Sequence, residues 1–403
     1  MPWKETSVFE QRKAFIEEVL DGKEPIKAIC GKYGISEKTG HKWKRRFMES
    51  GIAGLADESR APHSSPGQLG EDAVIRIIAI RQAHPTWGPK KIAALYGRAY
   101  PGEDSPSESS IYRVLGKAGL VSPRRVRAAP SGSAGSMRRL IPAEGPNDVW
   151  TVDFKGWWVS DGERCLPLTV RDLASRAILE VRLMESASAA AVRKRFEGLF
   201  SRFGLPKVIR SDNGAPFATT TGFLGLTTLS AWWMSLGIVP DRTQPGRPGQ
   251  NGSHERMHAD ISREIQGRVP GGVAANQAAL DAWVEEYNRE RPHEALGMRT
   301  PSEAYAPSER AYDPAAAVEY PIGFAPRKVG KAGAIRLGGR LYQLGSALRG
   351  LTVGVQPGGD GATVWLGSFP IAALDFSTEG VRAIDILTGE EADPSSRESL
   401  PVS

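Results

Sequence analysis

The sequence predicts a multidomain chain with all-α modules at the N-terminus, a central α/β domain and a small all-β domain at the C-terminus. Through the first 120 residues, apolar side chains recur at helical spacing. From Asn147 onward, short runs rich in Val, Leu, Ile and Trp alternate with helical stretches, which is typical of helices packed on a sheet. After residue 320, short alternating runs are separated by glycine turns. These three patterns, in this order, define the predicted fold class.

Shifts in composition set the expected boundaries. Gly and Pro together account for 74 residues (45 plus 29) of 403, which favours several loops and linkers over one compact block. We expect a helical module (1–60), a second helical module (68–122), a basic flexible linker (123–142), the α/β core (143–308), a small β-barrel (320–378) and a disordered tail (385–403).

The composition excludes several classes of protein. Only Cys30 and Cys165 are present, far apart and without metal-ligand spacing around them, so neither a disulfide framework nor a zinc site is indicated. The N-terminus shows no apolar segment of the kind that directs secretion. The sequence also shows no run of about 18 uncharged apolar residues of the kind that forms a membrane helix. The chain is therefore expected to be intracellular.

Charge is divided unevenly along the chain. Residues 1–142 carry 24 Lys and Arg against 15 Asp and Glu, or +9, whereas residues 143–403 carry 28 against 31, or −3. A basic front part indicates a polyanionic partner such as double-stranded DNA. A basic, solvated surface without a partner is the alternative.

The first module has the pattern of a helix-turn-helix DNA-binding domain. Helices are predicted over 9–20 and 26–33, with Pro25 in a first helical turn, and Ser36 is the predicted N-cap of a third helix. Trp43 and Phe47 are four residues apart and should face inward. The residues left on or near the exposed side, and therefore expected to bind DNA, are His41, Lys42, Lys44, Arg45 and Arg46.

The second module has the same three-helix pattern, with helical runs at 71–85, 88–100 and 106–120. Arg113 in its last helix is expected to contact DNA. The linker that follows is rich in arginine and free of acids, so Arg124, Arg125 and Arg127 are expected to track a phosphate backbone. For either module alone, a plain helical bundle remains the alternative.

The central domain reads as β-β-β-α-β-α-β-α, with its first three strands in a meander. Asp153 interrupts an apolar strand, where a charge is costly unless it is paired or bound to metal. Asp212 ends the fourth strand before an Asn-Gly turn, and Glu255 begins a helix after a Gly/Pro-rich loop. Oxygen ligands without a Cys or His cluster favour Mg²⁺ or Mn²⁺. Alternatively, Asp212 only supports its turn.

Four stretches resemble the integrase-core transposases of bacterial insertion sequences, which belong to the DDE superfamily. They are VWTVDFKG with Asp153, VIRSDNGAPF with Asp212, PGRPGQNGSHERMHADI with Glu255, and YNRERPHEALGMRTPSEAY at 287–305. With the two helix-turn-helix modules, they cover most of residues 10–305.

The resemblance implies an RNase H-like catalytic domain, a mixed five-stranded sheet with helices on both faces. It also implies that Asp153, Asp212 and Glu255 are catalytic and hold two Mg²⁺ ions, with Mn²⁺ as a substitute. Asp153 would bridge both ions, while Asp212 and Glu255 would each bind one. Water would nick the ends of a mobile element, and the freed 3′-OH would attack target DNA. The 43 positions from Asp212 to Glu255 exceed the spacing in retroviral relatives, so His254 and Glu264 are weaker alternatives to Glu255.

Other expectations concern partners. Arg247 and Arg256 would hold DNA phosphates or else be ordinary surface charges, and Arg291-Pro292-His293 is interpreted chiefly as a structural fastening. The C-terminal domain has six Lys or Arg and no acid between Pro326 and Gly359, so it would contact DNA or another protomer, or serve as a structural cap. The resemblance implies a homo-oligomer assembled on DNA. The sequence leaves open the need for an accessory ATPase.

Two functions compete with transposition. One is a domesticated transposase that binds DNA as a regulator without catalysis, and the presence of all three acids argues against it. The other is an RNase H-like nuclease for RNA–DNA hybrids, which the two DNA-reading modules disfavour.

Overall fold

A computed structural model describes residues 7–58, 69–121, 140–219, 222–244 and 252–392 of the chain. The chain divides into two compact units, Met1–Gly70 and Glu71–Ser403. In the part of the chain that the model describes, no helix has the length and apolarity that a bilayer crossing requires.

The described part of the first unit contains three α-helices, α1 (Val8–Asp21), α2 (Ile26–Lys32) and α3 (Glu37–Ser50). Ser36 caps α3 as predicted, whereas Pro25 occupies the N-cap of α2 rather than its first turn. The core of the unit comprises Phe15, Ile16, Ile29, Cys30, Trp43 and Leu55. Gly40 is required where α3 crosses this core, because a Cβ there would collide with the Cys30 sulfur.

The second unit begins with a helical module of α4 (Glu71–Ala83), α5 (Pro89–Ala99) and α6 (Glu108–Lys117). Pro89 occupies the first turn of α5, where its missing N–H costs nothing. The fully buried residues of this module are Ile77, Trp87, Ile92, Tyr96, Ile111 and Leu115. Ile77, Ile111 and Leu115 are among the apolar positions that helical spacing predicts, whereas Trp87 lies in the turn between α4 and α5.

Seven strands lie in the described residues of the central domain. They are β1 (Val149–Phe154), β2 (Trp158–Ser160), β3 (Glu163–Cys165), β4 (Pro167–Asp172), β5 (Ile178–Leu183), β6 (Val208–Ser211) and β7 (Val239–Arg242). Five of them form a mixed sheet in the order β5-β4-β1-β6-β7, antiparallel from β5 to β1 and parallel from β1 to β7. The predicted meander is therefore confirmed, and β2 and β3 form a separate hairpin.

Helices cover both faces of this sheet, as expected. They are α7 (Ala189–Phe203), α8 (Thr228–Ser235), α9 (Gly252–Glu264), α10 (Gly272–Arg289) and the short α11 (Pro301–Ala304). On one face, α7 and α8 pack with Trp150, Val152 and Ile209 in an apolar core. On the other, α9 and α10 pack against Ile178 and Val181. The stretch Phe223–Gly225, predicted to be part of α8, is a 3-10 turn instead.

The C-terminal domain is built from antiparallel strands. They are β8 (Ala325–Lys328), β9 (Ala334–Leu337), β10 (Arg340–Gln343), β11 (Thr352–Gly358), β12 (Gly361–Leu366), β13 (Phe369–Asp375) and β14 (Val381–Ala383). Five pair in the order β14-β13-β12-β11-β8, and β9 and β10 form a hairpin. The two end strands do not pair with each other in this order, so a closed barrel is not confirmed.

Two further differences concern the C-terminal region. Leu226, Ala231 and Met234, in and before α8, contribute to the apolar core of the C-terminal domain, so this domain packs on the central one. Residues 385–392 were expected to belong to a disordered tail. They instead form a turn closed by backbone hydrogen bonds and a bridge between Ile384 and Glu391. Residues 393–403 lie outside the described residues.

Candidate active site

The strand register places Asp153 and Asp212 at equivalent positions. β1 and β6 pair in parallel with Val149 opposite Val208 and Thr151 opposite Arg210. Continued by two residues, this register sets Asp153 opposite Asp212. Because paired residues of neighbouring strands share a face, both carboxylates belong to the same side of the sheet at the same edge.

The loop after β6 is held in place by several contacts. The backbone N–H of Gly214 donates to Asp212 Oδ1 at 3.1 Å, so the carboxylate supports its own turn as the alternative interpretation proposed. Asn213 donates to the carbonyl of Thr243 beyond β7 at 2.6 Å. The buried ring of Phe217 lies 5.9 Å from that of Phe154, the neighbour of Asp153. Asp212 itself is half-buried, which leaves part of its carboxylate accessible.

Glu255 lies in the first turn of α9 and is exposed. The residue before it, His254, is fully buried and faces the sheet, where its Nδ1 is 2.9 Å from the Thr151 hydroxyl and its Nε2 is 2.6 Å from that of Thr169. The guanidinium of Arg171 on β4 donates to the carbonyl of Ser253 at 2.6 Å. These contacts hold the start of α9 over β1 and β4.

The sheet face under α9 is polar at its centre. On β1, Thr151 and Asp153 alternate with Val152, and on β4, Thr169 and Arg171 alternate with Val170. The apolar residues point into the core formed with α7 and α8. A strand buried on both faces usually carries apolar residues throughout. This polar stripe is therefore a local departure whose cost is compensated by hydrogen bonds.

Two histidines lie beside Asp153; the sequence pointed only to His254, as a weaker alternative to Glu255, and not to His258. One potential ligand atom from each of Asp153, His254 and His258 falls within 4.8 Å of the others. Burial holds the pKa of His254 well below its ordinary value, and burial together with the charge of Lys155 lowers the pKa of His258 to about 4. Both rings are therefore neutral near pH 7.

The hydrogen bonds of these rings decide how well they suit a metal. His254 uses both of its nitrogens on threonine hydroxyls, and Nε2 of His258 is 2.8 Å from the same Thr169 hydroxyl. A nitrogen engaged in this way is not available as a ligand. These bonds do not involve Nδ1 of His258, so the donors that remain are this nitrogen and the carboxylate oxygens, and the oxygens suit Mg²⁺ and Mn²⁺.

Glu264, the other alternative to Glu255, makes contacts that connect elements of the fold. Its carboxylate accepts hydrogen bonds from Thr86 at 2.7 Å and from the indole of Trp283 at 2.5 Å, and Arg291 lies 3.7 Å away. It therefore connects α9 to α10 and to the second helical module. Arg291 is buried and donates to Asp260 at 2.8 Å, in keeping with the structural role expected for its segment.

Comparisons with protein families match two integrase core domain models, one to residues 143–248 and one to residues 236–301. A helix-turn-helix domain model matches residues 11–63, and a homeodomain-like domain model matches residues 39–115. The chain is 25% identical over 295 residues to an uncharacterized 31.7 kDa protein of insertion element IS407 from Burkholderia multivorans, an alignment that covers 73% of this chain and 99% of that protein. It is also 25% identical over 247 residues to transposase InsD of insertion element IS2 from Escherichia coli, covering 58% of this chain and 77% of the relative.

The chain carries integrase core and helix-turn-helix domains and is homologous to transposases of bacterial insertion sequences. Among solved structures, the catalytic core domain of HTLV-2 integrase in complex with magnesium matches 41% of this chain and all of its own, with 16% identity and a TM-score of 0.32. That score is too low to support an argument about the transposase.

The basic residues predicted for the first module of the transposase fall into two groups. His41, Lys42 and Arg45 are exposed on α3, whereas Lys44 is half-buried. Arg46 is turned inward: its guanidinium lies over the ring of Trp43 at 5.0 Å and donates to the carbonyl of Ala56 at 2.9 Å. Arg46 therefore stabilises the module, and it is the predicted DNA contact least suited to that role.

Arg113 lies in the second module beside an open cleft of about 410 Å³. The residues that line the cleft, at the start of α5 and along α6, are Pro89, Lys90, Glu108, Ser109, Tyr112 and Arg113. Tyr112 and Arg113 are exposed, so both can reach a partner. Arg256 is exposed on α9 next to Glu255. Arg124, Arg125, Arg127 and Arg247 lie outside the described residues.

Sequence reasoning missed Thr151, Thr169 and His258, and it considered His254 only as a weaker alternative to Glu255. Two sequence patterns could have indicated these residues. In TVD (151–153) and TVR (169–171), polar residues alternate with a buried valine, and His254 and His258 are four apart on one helix, which puts them on one face.

Proposed function

We propose that this transposase cleaves the ends of a mobile element and joins them to target DNA at one site built from Asp153, Asp212 and Glu255. The observation that carries the proposal is the register of β1 and β6, which brings Asp153 and Asp212 to one edge of the sheet. Two carboxylates so placed repel each other unless a cation lies between them. Glu255 is exposed at the start of the helix that covers this face.

These three carboxylates would hold two divalent cations, Mg²⁺ with Mn²⁺ as a substitute. Bound there, the ions would supply an activated nucleophile and stabilise the leaving oxygen of an in-line phosphoryl transfer. The protein residues position this chemistry. Asp153 is fixed by its strand, Asp212 by the turn that ends β6, and Glu255 by the contacts of His254 with Thr151 and Thr169.

DNA would be held by the helical modules and by the exposed arginine of α9. The terminal inverted repeats of the element are the expected ligands of α3 and α6, through His41, Lys42, Arg45 and Arg113, with Arg256 binding phosphates near the site. Joining two element ends calls for two copies of the site, so we expect a homo-oligomer assembled on nucleoid DNA.

The experiment is Mg²⁺-dependent cleavage and joining of DNA that carries the inverted repeats flanking the gene. Wild type is compared with Asp212→Asn and with Asp281→Asn, a matched change of an exposed acid on α10. Activity is expected in wild type and Asp281→Asn and should fall to background in Asp212→Asn, with binding of the repeats unchanged. Tight binding by all three proteins with no cleavage in Mg²⁺ or Mn²⁺ would overturn the proposal and favour a DNA-binding regulator.

A further inference from the structure

The hydroxyl of Thr169 is the centre of a buried hydrogen-bond network. Thr169 lies on β4 directly opposite Asp153 and is fully buried. Its Oγ1 is 3.0 Å from the main-chain carbonyl of Asp153, 2.6 Å from Nε2 of His254 and 2.8 Å from Nε2 of His258. One hydroxyl thus joins two strands of the sheet to two successive turns of α9.

Each hydrogen bond of this network can be assigned one donor and one acceptor. A hydroxyl has one proton and two lone pairs, and a carbonyl can only accept, so Thr169 donates to Asp153. Both histidines must then carry a proton on Nε2 and donate to Thr169. Nδ1 of His254 is left as an acceptor, and the Thr151 hydroxyl, 2.9 Å away, can donate to it. Two neutral imidazoles satisfy this arrangement without any additional group.

The network holds the part of α9 that carries Glu255, whose position must be precise if it is to bind a cation. Glu255 directly follows His254, and His258 lies one turn further along the same helix, so the two bonds to Thr169 flank the glutamate. Met257 and Ile261 on the same helix make apolar contacts, which allow sliding and rotation more readily than hydrogen bonds do. Catalytic groups must be held to within about 0.5 Å of their working position.

We infer that Thr169 is a positioning residue, which through His254 and His258 fixes the helix carrying Glu255 relative to the strand carrying Asp153. This inference rests on the proposed function, because it assumes that both carboxylates hold the same cations. Thr169 itself contacts neither DNA nor cation in this role. Its effect is exerted on the geometry of the carboxylates.

The test uses the full chain and measures cation binding directly. Mn²⁺ affinity without DNA is determined by isothermal titration and by electron paramagnetic resonance for wild type, Thr169→Val and Thr169→Ser. A matched control is Thr363→Val, on β12 of the C-terminal domain. We expect Thr169→Val to weaken Mn²⁺ binding by about 10- to 100-fold, the usual effect of removing an outer-shell partner. Thr169→Ser and Thr363→Val should remain near wild type.

A double-mutant cycle with Glu255→Gln distinguishes positioning from a general structural role. If Thr169 acts through Glu255, Thr169→Val should weaken Mn²⁺ binding little further in the Glu255→Gln background. Independent, multiplicative losses would overturn the inference, as would unchanged Mn²⁺ affinity in Thr169→Val. If Glu255→Gln alone leaves Mn²⁺ affinity and DNA cleavage unchanged, the assignment of Glu255 in the proposed function fails, and the inference fails with it.

A second variant covers the case in which Thr169→Val does not fold. Thr151→Val removes only the bond to Nδ1 of His254 and leaves the Thr169 hydroxyl in place. We expect it to weaken Mn²⁺ binding in the same direction by a smaller factor, again without effect in the Glu255→Gln background. Wild-type Mn²⁺ affinity in a folded Thr151→Val protein would count against the network.

Discussion

The two helical modules share a plan but differ in what their polar side chains contact. The first packs three helices around Trp43, and its charged residues pair within the module, as Arg12 does with Asp57 at 2.8 Å. The second packs three helices around Trp87, and its charged and polar residues contact the catalytic domain. Those contacts are His84 with Glu286, Thr86 with Glu264, Lys90 with Glu294, and Arg98 with Glu303.

The two three-helix modules therefore differ in how they relate to the rest of the chain. The second module is anchored on α9, α10 and the segment that follows them, and α9 carries Glu255. A change in the core of the second module can therefore reach α9 and α10, whereas the first module forms its own compact unit. The predictions below test whether this division holds, from the largest expected effect to the smallest.

The largest effect is expected from Trp87→Ala. Trp87 is 1% exposed, and its ring stacks on that of His84 at 3.8 Å, while His84 contacts Glu286 on α10 at 2.9 Å. Truncating a buried tryptophan typically costs about 3–5 kcal/mol. We expect hydrogen exchange to show lost protection in both α5 and α10.

Two variants serve as comparisons for this prediction. Trp43→Ala should cost a similar amount, but the loss of protection should be confined to α1, α2 and α3. Trp157→Ala, which truncates a tryptophan that is 55% exposed, should change protection little. If Trp87→Ala leaves α10 unaffected, the second module is no more coupled to the core than the first.

Acid should weaken the second unit through His293. Burial, together with the positive charges of Lys91 and Arg291, lowers the pKa of His293 to about 3, and its ring lies 4.8 Å from that of Tyr287. The unfolded chain takes up a proton below about pH 6.5 and the folded one does not, so stability falls as the pH drops from 6.5 toward 3. The loss from this residue between pH 7 and pH 5 is about 2 kcal/mol.

The measurement compares urea unfolding of wild type and His293→Phe at pH 7 and pH 5. The variant keeps an aromatic ring and cannot titrate, so its stability should fall by about 2 kcal/mol less over this interval. The remaining acid sensitivity should come from His254 and His258, whose pKa values burial also lowers. Equal pH dependence in the two proteins would refute the role of His293.

Thr86→Val tests a single polar contact between module and core. The variant removes the hydrogen bond from Thr86 to the carboxylate of Glu264, which keeps its bond from Trp283. Because the acceptor is charged, we expect a loss of about 1.5–3 kcal/mol at most. Limited proteolysis should show faster cleavage between residues 84 and 88. Unchanged cleavage would mean that the other three contacts suffice.

Much of this architecture could be predicted from the sequence. Helical spacing gave α1 to α6 and alternation gave the meander, and Asp153 and Asp212 became candidates because the first interrupts an apolar run and the second ends one. Such signals are local, since they depend on residues within one element. The His254–Thr169 contact joins residues 85 positions apart, so it depends on how α9 packs on β4, which spacing alone does not determine.

The same limit explains the errors. Arg46 has the spacing of an exposed helix residue, but Trp43 and the segment after α3 provide partners for its guanidinium. The C-terminal strands were found, whereas closure of their sheet depends on pairing between distant strands and was not confirmed. Polar contacts of the second module with the core were missed because charged helix residues usually face solvent.

The smallest effect is expected at a pair of neighbouring arginines in the first module. The Arg45 side chain is 73% exposed, whereas that of Arg46 is 14% exposed and lies 3.1 Å from Glu58. If Arg45 contacts a phosphate, Arg45→Ala should weaken DNA binding uniformly across sequences and reduce the slope of log affinity against log salt by about 1. Arg46→Ala should instead lower the melting temperature of the module and leave the salt slope unchanged. A reduced slope in Arg46→Ala would show that Arg46 leaves its internal partners when DNA binds, and the first module would then resemble the second in using its charged residues to make contacts outside itself.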